Sequence, residues 1–527
     1  MDFICSLIPL ALLFVLMLGF KLSGYTSALI TLMVTIILAL AITPLLEMTP
    51  ERYSDDSIFE IVAWSGIEGV LKALFPIFLI ILMAIFSYNI IVETGQIEII
   101  KRQFIELTDD EGILVLLMVW GFGGLLEGMA GFGTAVAIPA SILIGLGFKP
   151  FFSALVSLLG NTVATGFGAL GVPVITLCNE GMPGGSAPAS MISEVSAFTI
   201  LQLSPLFLLL PFLILTLTDR KAWKKNILLT LWVGIISFGV QFFSALYIGA
   251  EAPAILGSIA AILALIAAAR LKKRKTKKGG VKVTFSQAFK AWSVYIFILI
   301  FVFLSGPVCP PISNFLRNHL VSSIWIPVLD NTFRFGWISN AAFLILAGSF
   351  IGGMIQGLGP WKQLILLCKT FLNLRFTGVT ILSLITLASI MNNSGMINSL
   401  SLGLVTATGS LYPLFAPLVG AVGTFVTGSD TSSNILFAKL QVSMSQNLGM
   451  TGQMDFLGMH GSESDWLLAA NTTGATGGKM ISPQNIAIAA AACGLKGDDD
   501  KILRAALPYA AIYVAIGGLM VIWGCLC

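Results

Sequence analysis

Charge is scarce in this chain. Asp, Glu, Lys and Arg make up only 10% of its 527 residues, whereas a soluble domain carries about a quarter. Histidine is scarcer still: His319 and His460 are the only two. Both fall in expected loops, which argues against a histidine proton relay through the interior. The seven cysteines show no metal-ligand spacing, and Cys525 and Cys527 lie too close together and too near the terminus to argue a metal site. They read as inert thiols in or beside apolar runs. There is no G-x-S-x-G elbow, no phosphate-binding loop and no His/Cys cluster. Nothing therefore marks an enzyme, and no cofactor or metal is expected. The glycines of "GFGGLLEG" (121–128) lack the strand–helix context of a nucleotide fingerprint. A net charge of +3 gives no support to nucleic-acid binding. The opening Met-Asp-Phe lacks a basic n-region, so no cleaved signal peptide is expected.

Apolar residues fill the space that charge leaves. They are 57% of the chain, and the mean hydropathy is +0.94. The fold class this implies is an all-α polytopic membrane protein embedded in a lipid bilayer. Windows of about 20 apolar residues predict about 12 full spans, near 3–20, 26–44, 70–92, 112–130, 196–217, 226–248, 252–269, 291–305, 339–358, 376–393, 404–425 and 505–525. Two more regions, 131–178 and 426–492, are apolar but interrupted by Gly, Pro, Asn and Thr. They read as re-entrant hairpins and discontinuous helices, which lipid tolerates only where protein or a water-filled cavity satisfies the backbone.

One pattern occurs in both regions. "NTVATGFGALGVP" starts at Asn161-Thr162 and "NTTGATGGKMISP" at Asn471-Thr472, each with Gly seven and Pro twelve positions on (Gly168 and Pro173; Gly478 and Pro483). Gly131-Phe-Gly-Thr134 similarly resembles Gly428-Ser-Asp-Thr431, and the segment ending at Gly95 resembles that ending at Gly395. The chain is thus an internal duplication, with an insertion in the second half placed within 450–464. Basic residues fix sidedness. "RLKKRKTKK" (270–278), "DRKAWKK" (219–225), Lys362, Lys369 and Arg375 fall on the cytoplasmic side. Both termini, the stretch Glu47 to Glu60 and the segment 306–338 then fall outside. The helices ending at Gly95 and Gly395 cross in opposite directions, so the repeats are inverted, the arrangement behind alternating access. The expected organisation is two extra helices (1–45), a first inverted repeat (46–225), linker helices with a basic cytoplasmic loop at 270–290 and an outer loop at 306–338 (226–338), and a second inverted repeat (339–527).

Ionisable groups within apolar helices mark function. Glu127, Asp430 and Lys479 stand out. Glu127 and Asp430 are candidate proton carriers; the alternative is that either caps a half-helix or pairs with Lys479. Lys479 either attracts an anionic substrate or neutralises Asp430. Asp430 also reads as a hydrogen-bonding hub among Thr427, Ser429, Thr431, Ser432 and Ser433. Half-helix N-termini after Gly131, Gly428, Asn161 and Asn471 would aim partial positive charge and free N–H groups at the bilayer centre. With Asn161, Thr162, Asn471, Thr472, Ser429, Thr431 and Thr134 as neutral donors and acceptors, that chemistry suits a small hydroxy-carboxylate. Lys149, Lys439 and Lys496 are placed to snorkel to the interface.

The segments "LLEGMAGFGTAVAIP" (125–139), "GNTVATGFGALGVPVI" (160–175), "FVTGSDTSSNILFAKLQ" (425–441) and "AANTTGATGGKMISPQNIAIA" (469–489) resemble the L-lactate permease family. The resemblance runs from about residue 60 to 520 and implies a symporter of the bacterial cytoplasmic (inner) membrane for lactate and related 2-hydroxy monocarboxylates such as glycolate, coupled to protons. It also implies a scaffold domain and a moving transport domain, and a homodimer. The related carriers hold carboxylate substrate, and in some cases Na⁺, at Asn-Thr motifs, here Asn161, Thr162, Asn471 and Thr472. The stretch 450–464 is longer than the family pattern. A Na⁺-coupled carrier of another small organic anion and a passive anion channel are the competing readings.

Overall fold

The computed structural model describes residues 2–20, 22–46, 48, 50, 56–105, 108, 110–129, 131, 133–182, 185–271, 284–305, 310–329, 331–495 and 499–526. Glu47, the basic run from 272 to 278, Cys309, Lys496 and Cys527 lie outside them.

The chain is helical almost throughout. α1 (Asp2–Phe14) and α2 (Gly24–Ala41) precede α3 (Ile58–Lys72) and α4 (Leu79–Glu93). Here the expected span at 70–92 becomes two helices, because the backbone kinks at Phe75 (φ −128°, ψ 107°). α3 begins at a reciprocal cap: the Ser57 side chain accepts from the Glu60 N–H and the Glu60 carboxylate from the Ser57 N–H. Its apolar window is broken by Glu68 and Lys72, one turn apart and paired, which is why hydropathy alone misses it. After α5 (Gln96–Ile105), α6 (Glu111–Leu116) passes through a wide turn into α7 (Gly123–Met129). The chain reverses at Gly131 and Gly133, both left-handed (φ 61° and 82°), and α8 (Thr134–Gly145) packs back on α7. α9 (Pro150–Gly160), α10 (Thr162–Thr165) and α11 (Gly168–Gly181) then form one interrupted span.

α12 (Ala189–Gln202) and α13 (Leu206–Thr218) meet at a 46° bend. α14 (Trp223–Tyr247), α15 (Pro253–Leu271), α16 (Phe285–Ser305) and α17 (Pro310–Asn318) follow. The expected outer loop contains an antiparallel hairpin, β1 (Val321–Ile326) and β2 (Asn331–Gly336). Ile326, Phe333 and Phe335 of this hairpin cluster with Ile61 of α3.

The second half repeats the order. α18 (Ala341–Gln356) leads to α19 (Pro360–Asn393). α19 is 34 residues long, about 50 Å, so the expected span at 376–393 is only its C-terminal half. Lys362, Lys369 and Arg375 lie on its exposed face, and their charge is what hides its first half from a hydropathy window. α20 (Met396–Thr408) and α21 (Tyr412–Thr427) precede a reversal at Gly428 (φ 74°). α22 (Asp430–Asn447) packs back on α21. The insertion at 450–464 holds a second small hairpin, β3 (Gln453–Phe456) and β4 (Met459–Ser462). α23 (Glu463–Lys479), α24 (Pro483–Ala492) and α25 (Asp499–Leu526) complete the chain. Among the described residues, seven helices are long and apolar enough to cross a bilayer, and the bent pair α12–α13 makes an eighth.

α21, α23 and α25 are held at backbone contact. A Cβ on Gly474 would collide with the Pro417 carbonyl, one on Gly420 with that of Asn471, one on Gly478 with that of Ala421, and one on Gly518 with that of Leu414. Small residues at such seams let dispersion forces act where lipid supplies no hydrophobic drive. Gly474→Ala should therefore lower the thermal unfolding midpoint in detergent by about 3 °C or more. Gly145→Ala, with open space around its Cβ, should leave it unchanged. Equal midpoints for the two variants would refute a close-packed seam.

Candidate substrate and proton site

Four helix N-termini converge on one cavity of about 370 Å³, within the range of small-molecule sites. The approach to α8 brings Gly131 and Gly133, that to α11 Gly168 and Ala169, that to α22 Ser429, Asp430, Thr431 and Ser432, and α24 Gln484 and Asn485. Glu127 reaches in from α7, Thr165 from α10 and Lys479 from the last turn of α23. The facing wall is Tyr25 of α2, Ile81 of α4 and Phe376, Thr377, Thr380 and Ile381 of α19.

Proline sets the breaks. Pro173 and Pro483 lack an N–H, so each leaves the carbonyl four residues back without its helical donor, and Ser482 before Pro483 is non-helical as well. Ahead of Pro173 the chain passes through Ala169, Leu170 and Gly171 in the left-handed region (φ 46°, 61° and 79°). For the first two residues this is strained backbone, and Ala169 lies in the cavity wall. Ahead of Pro483, α23 ends at Lys479 and α24 starts at Pro483. The carbonyl that Pro483 frees, Lys479 O, finds a side chain. Asn485 Nδ2 donates to Lys479 O (3.3 Å) and Ser482 Oγ (2.8 Å), and Asn434 Nδ2 donates to Pro173 O (2.9 Å). The expected half-helix starts after Gly131 and Gly428 match the structure. At Asn161 α9 ends and the short α10 begins, with the larger break following at 166–171; α23 instead runs unbroken through Asn471, whose side chain bonds Gln441, Asn434 and the Ser433 carbonyl.

Lys479 Nζ donates to Glu127 Oε1 at 2.6 Å, with both side chains nearly enclosed. Gly168 makes room for that carboxylate, since a Cβ there would lie 2.7 Å from Glu127 Oε1. Among the described residues, Glu127 Oε2 and both Asp430 oxygens are buried without a hydrogen-bond partner. Lys479 and the hydroxyls of Thr165 and Thr424 face Asp430. With both acids ionised, two carboxylates and one lysine give the cavity one negative charge in excess, set against the helix ends. No group of His, Cys, Asp and Glu suited to a metal occurs among the described residues.

The structure brings Glu127, Asp430, Lys479, Ser429, Thr431 and Gly131 together on the cavity. Thr134 opens α8, and its side chain lies outside the described part. The Asn-Thr residues stand one layer back. Asn471 Oδ1 accepts from Gln441 Nε2 (3.2 Å), and Asn471 Nδ2 donates to Asn434 Oδ1 (2.8 Å). Thr472 Oγ1 accepts from Asn434 Nδ2 (2.9 Å). Asn161 and Thr162 border a tight void shared with Lys479 and Asn485, and Asn161 Oδ1 has no partner among the described residues. The two Asn-Thr segments still cross closely, at Gly166, where a Cβ would lie 2.8 Å from Thr472 Cγ2. Sequence reasoning missed Thr165, Gln484, Asn485, Thr377 and Thr380. For Gln484 and Asn485 the signal was Pro483, because the first turn after a proline break faces the break.

A helical bundle of membrane-spanning length, with a charged cavity built on interrupted helices, defines a multi-pass transport protein. Its fold is similar to that of the Alcanivorax borkumensis YdaH transporter, at TM-score 0.51 and 13% identity over 94% of this chain and 98% of that one. The L-lactate permease family model matches residues 2–525, and the chain belongs to that family. It is 38% identical to an L-lactate permease of Streptococcus iniae over 73% of this chain and 81% of the relative. It is 31% identical to the glycolate permease GlcA of Escherichia coli over 98% and 94%. An L-lactate permease of Bacillus subtilis is likewise 31% identical over 95% and 92%. The family is one of permeases, not of enzymes.

Removing one partner of a buried ion pair strands the other. Lys479→Met should destabilise the protein by roughly 3–5 kcal/mol, whereas Glu127→Gln combined with Lys479→Met should recover most of that loss. Thermal unfolding of the single and double variants measures this, and additive losses would show that the two groups are not coupled.

Proposed function

We propose that the chain is a secondary active transporter that takes up L-lactate and related 2-hydroxy monocarboxylates, including glycolate, together with protons by alternating access. The observation that carries the reading is the Glu127–Lys479 pair at the meeting point of four helix N-termini, beside the unpartnered Asp430. Lys479 is the only cation on the cavity wall among the described residues. A carboxylate substrate therefore competes with Glu127 for it. A proton on Glu127 frees Lys479, and the substrate carboxylate takes the vacated position against Nζ and the helix ends. The 2-hydroxyl then pairs with the Ser429 and Thr431 hydroxyls and the Asn485 amide.

The charge count favours protons as the coupling ion. An anion entering alone would deepen a deficit that a low-dielectric interior tolerates poorly. With one proton the count returns to its starting value, and a second proton on Asp430 neutralises the loaded site. Asn161, Thr162, Asn471 and Thr472 hold the broken segments from behind, and Gly131 and Thr134 present backbone to the substrate. The repeated order of hairpin and interrupted span supports two inverted halves at 46–225 and 339–527 around linker helices. The membrane proposed is the bacterial cytoplasmic one, with both termini outside and a homodimer as the assembly.

Proteoliposomes separate this reading from its rivals. An imposed proton gradient should drive lactate and glycolate uphill, and a sodium gradient at equal pH should not. Sodium-driven uptake would replace the proton by Na⁺, and equilibration without accumulation would indicate a channel. Glu127→Gln should cut proton-driven accumulation by about tenfold or more while keeping exchange of labelled lactate within about threefold of the parent. Undiminished accumulation would remove Glu127 from the coupling path.

A further inference from the structure

Away from the cavity, four more ionisable side chains are buried together. Glu68 and Lys72 pair on α3 at 2.8 Å, and Asn393 of α19 donates to Glu68 Oε2 at 3.2 Å. Glu180, near the end of α11, and Lys439 of α22 approach to 3.7 Å, and Lys439 also donates to Ser389 of α19 at 3.3 Å. Across the gap Lys72 faces Glu180, and Lys439 faces both Glu68 and Lys72. Lys72 reaches beneath the segment after α11, where a Cβ on Gly185 would collide with it. All four residues are at most 8% exposed. Lys439 therefore does not snorkel, because α22 turns it inward to Glu180; Lys149 is exposed.

Charges at this depth need a reason, and their arrangement supplies one. The quartet is neutral, and so is each pair alone. One pair belongs to α3, and the other joins α11 to α22. The same interface lines the cavity, since α11, α19 and α22 contribute Pro173, Ile381 and Ser432 to its wall. From Pro173 to Glu180 and from Ser432 to Lys439 is seven residues, two turns along one helix face and about 10 Å. Ile381, Leu384, Ile385, Ile435 and Leu436 fill the layer between as part of one buried apolar cluster.

We propose that Glu68, Lys72, Glu180 and Lys439 form a charge-paired gate that closes one end of the path from the cavity. The idea rests on the alternating-access reading given above. In this conformation the Lys72–Glu180 and Glu68–Lys439 attractions, working against Lys72–Lys439 repulsion, hold α11 and α22 against α3 and α19. When the gate parts, each side keeps its own counter-ion, so neither surface exposes an unpaired charge. A gate built from one acid facing one base would strand both on opening.

The test uses Thr176→Cys, buried on α11 between cavity and quartet, with the native cysteines replaced. A membrane-impermeant maleimide is applied to vesicles of either orientation. Lactate accumulation by this parent is measured first, so a failure of the transport reading registers separately from the labelling. Glu180→Gln with Lys439→Gln removes one neutral pair and leaves the other intact. It should speed labelling from one membrane face by about tenfold and leave the other face unchanged. Glu68→Gln with Lys72→Gln should do the same from the same face. Glu180→Asp, which lengthens the 3.7 Å contact, should give an intermediate rate and serves if the double variants do not fold. Unchanged labelling in folded variants, or equal gains from both faces, would overturn the gate.

Discussion

Backbone groups at a broken helix end have no intrahelical partner, and a lipid-facing bundle gives them no water. Four such ends, ahead of α8, α11, α22 and α24, meet at one cavity. Their N–H groups and partial positive charge must be answered by anions or polar oxygens. Glu127 and Asp430 line that cavity, and in the proposed cycle a carboxylate substrate takes their place as they are protonated. Lys479 offsets one of those acids. The remaining local features serve this meeting: Pro483 frees the Lys479 carbonyl, which Asn485 closes, Asn434 ties Pro173 O to the second hairpin, and Gly168 leaves room for the Glu127 carboxylate.

The two halves share this backbone plan but divide the chemistry unequally. Aligned on the glycine tips and on the Asn-Thr motifs, Glu127 corresponds to Thr424, Asp430 to Gly133 and Lys479 to Ala169. Each charge has a neutral counterpart in the other half. The second hairpin holds its interrupted span with Asn434 and Gln441, where the first has Ala137 and Ile144. Asn471 is accordingly well bonded, whereas Asn161 Oδ1 is left without a partner among the described residues. Under the alternating-access proposal, pseudo-symmetric scaffolding with asymmetric charge would let one pocket face either side while binding a single cargo in a single way.

Much of this was legible in the sequence, for definable reasons. The paired Gly-Asn-Thr-Pro intervals located both interrupted regions because proline and glycine act locally on the backbone. The same pattern also put a break at Asn471, where α23 runs on to Lys479, since spacing cannot tell which polar residue faces its own backbone and which faces a neighbouring helix. Hydropathy windows missed α3 and half of α19, because Glu68 with Lys72 and the exposed Lys362, Lys369 and Arg375 read as polar. Burial in pairs is a tertiary fact: Glu68 meets Asn393, and Glu180 meets Lys439, across hundreds of residues. Thr377 and Thr380 were invisible for the same reason, being ordinary helix residues until the fold turns them to the cavity.

Among the described residues two charge clusters are buried within the bundle, and their arithmetic differs in a way that matches their positions. In the cavity, one lysine faces two carboxylates, an imbalance that makes the site responsive to a proton and able to exchange one carboxylate for another. Two turns away, two lysines face two carboxylates and each side of the interface is neutral alone. A balanced cluster gains nothing from binding an ion, because any added charge would be unpaired in a low-dielectric surround. It can hold two surfaces together and release them at modest cost. The unbalanced site thus has the properties proposed for a cargo site and the balanced one those proposed for a gate, with α11 and α22 contributing to both. Under the gate proposal, displacement of α11 and α22 relative to α3 and α19 would change the two clusters together and so tie occupancy of the cavity to closure of the path beyond it.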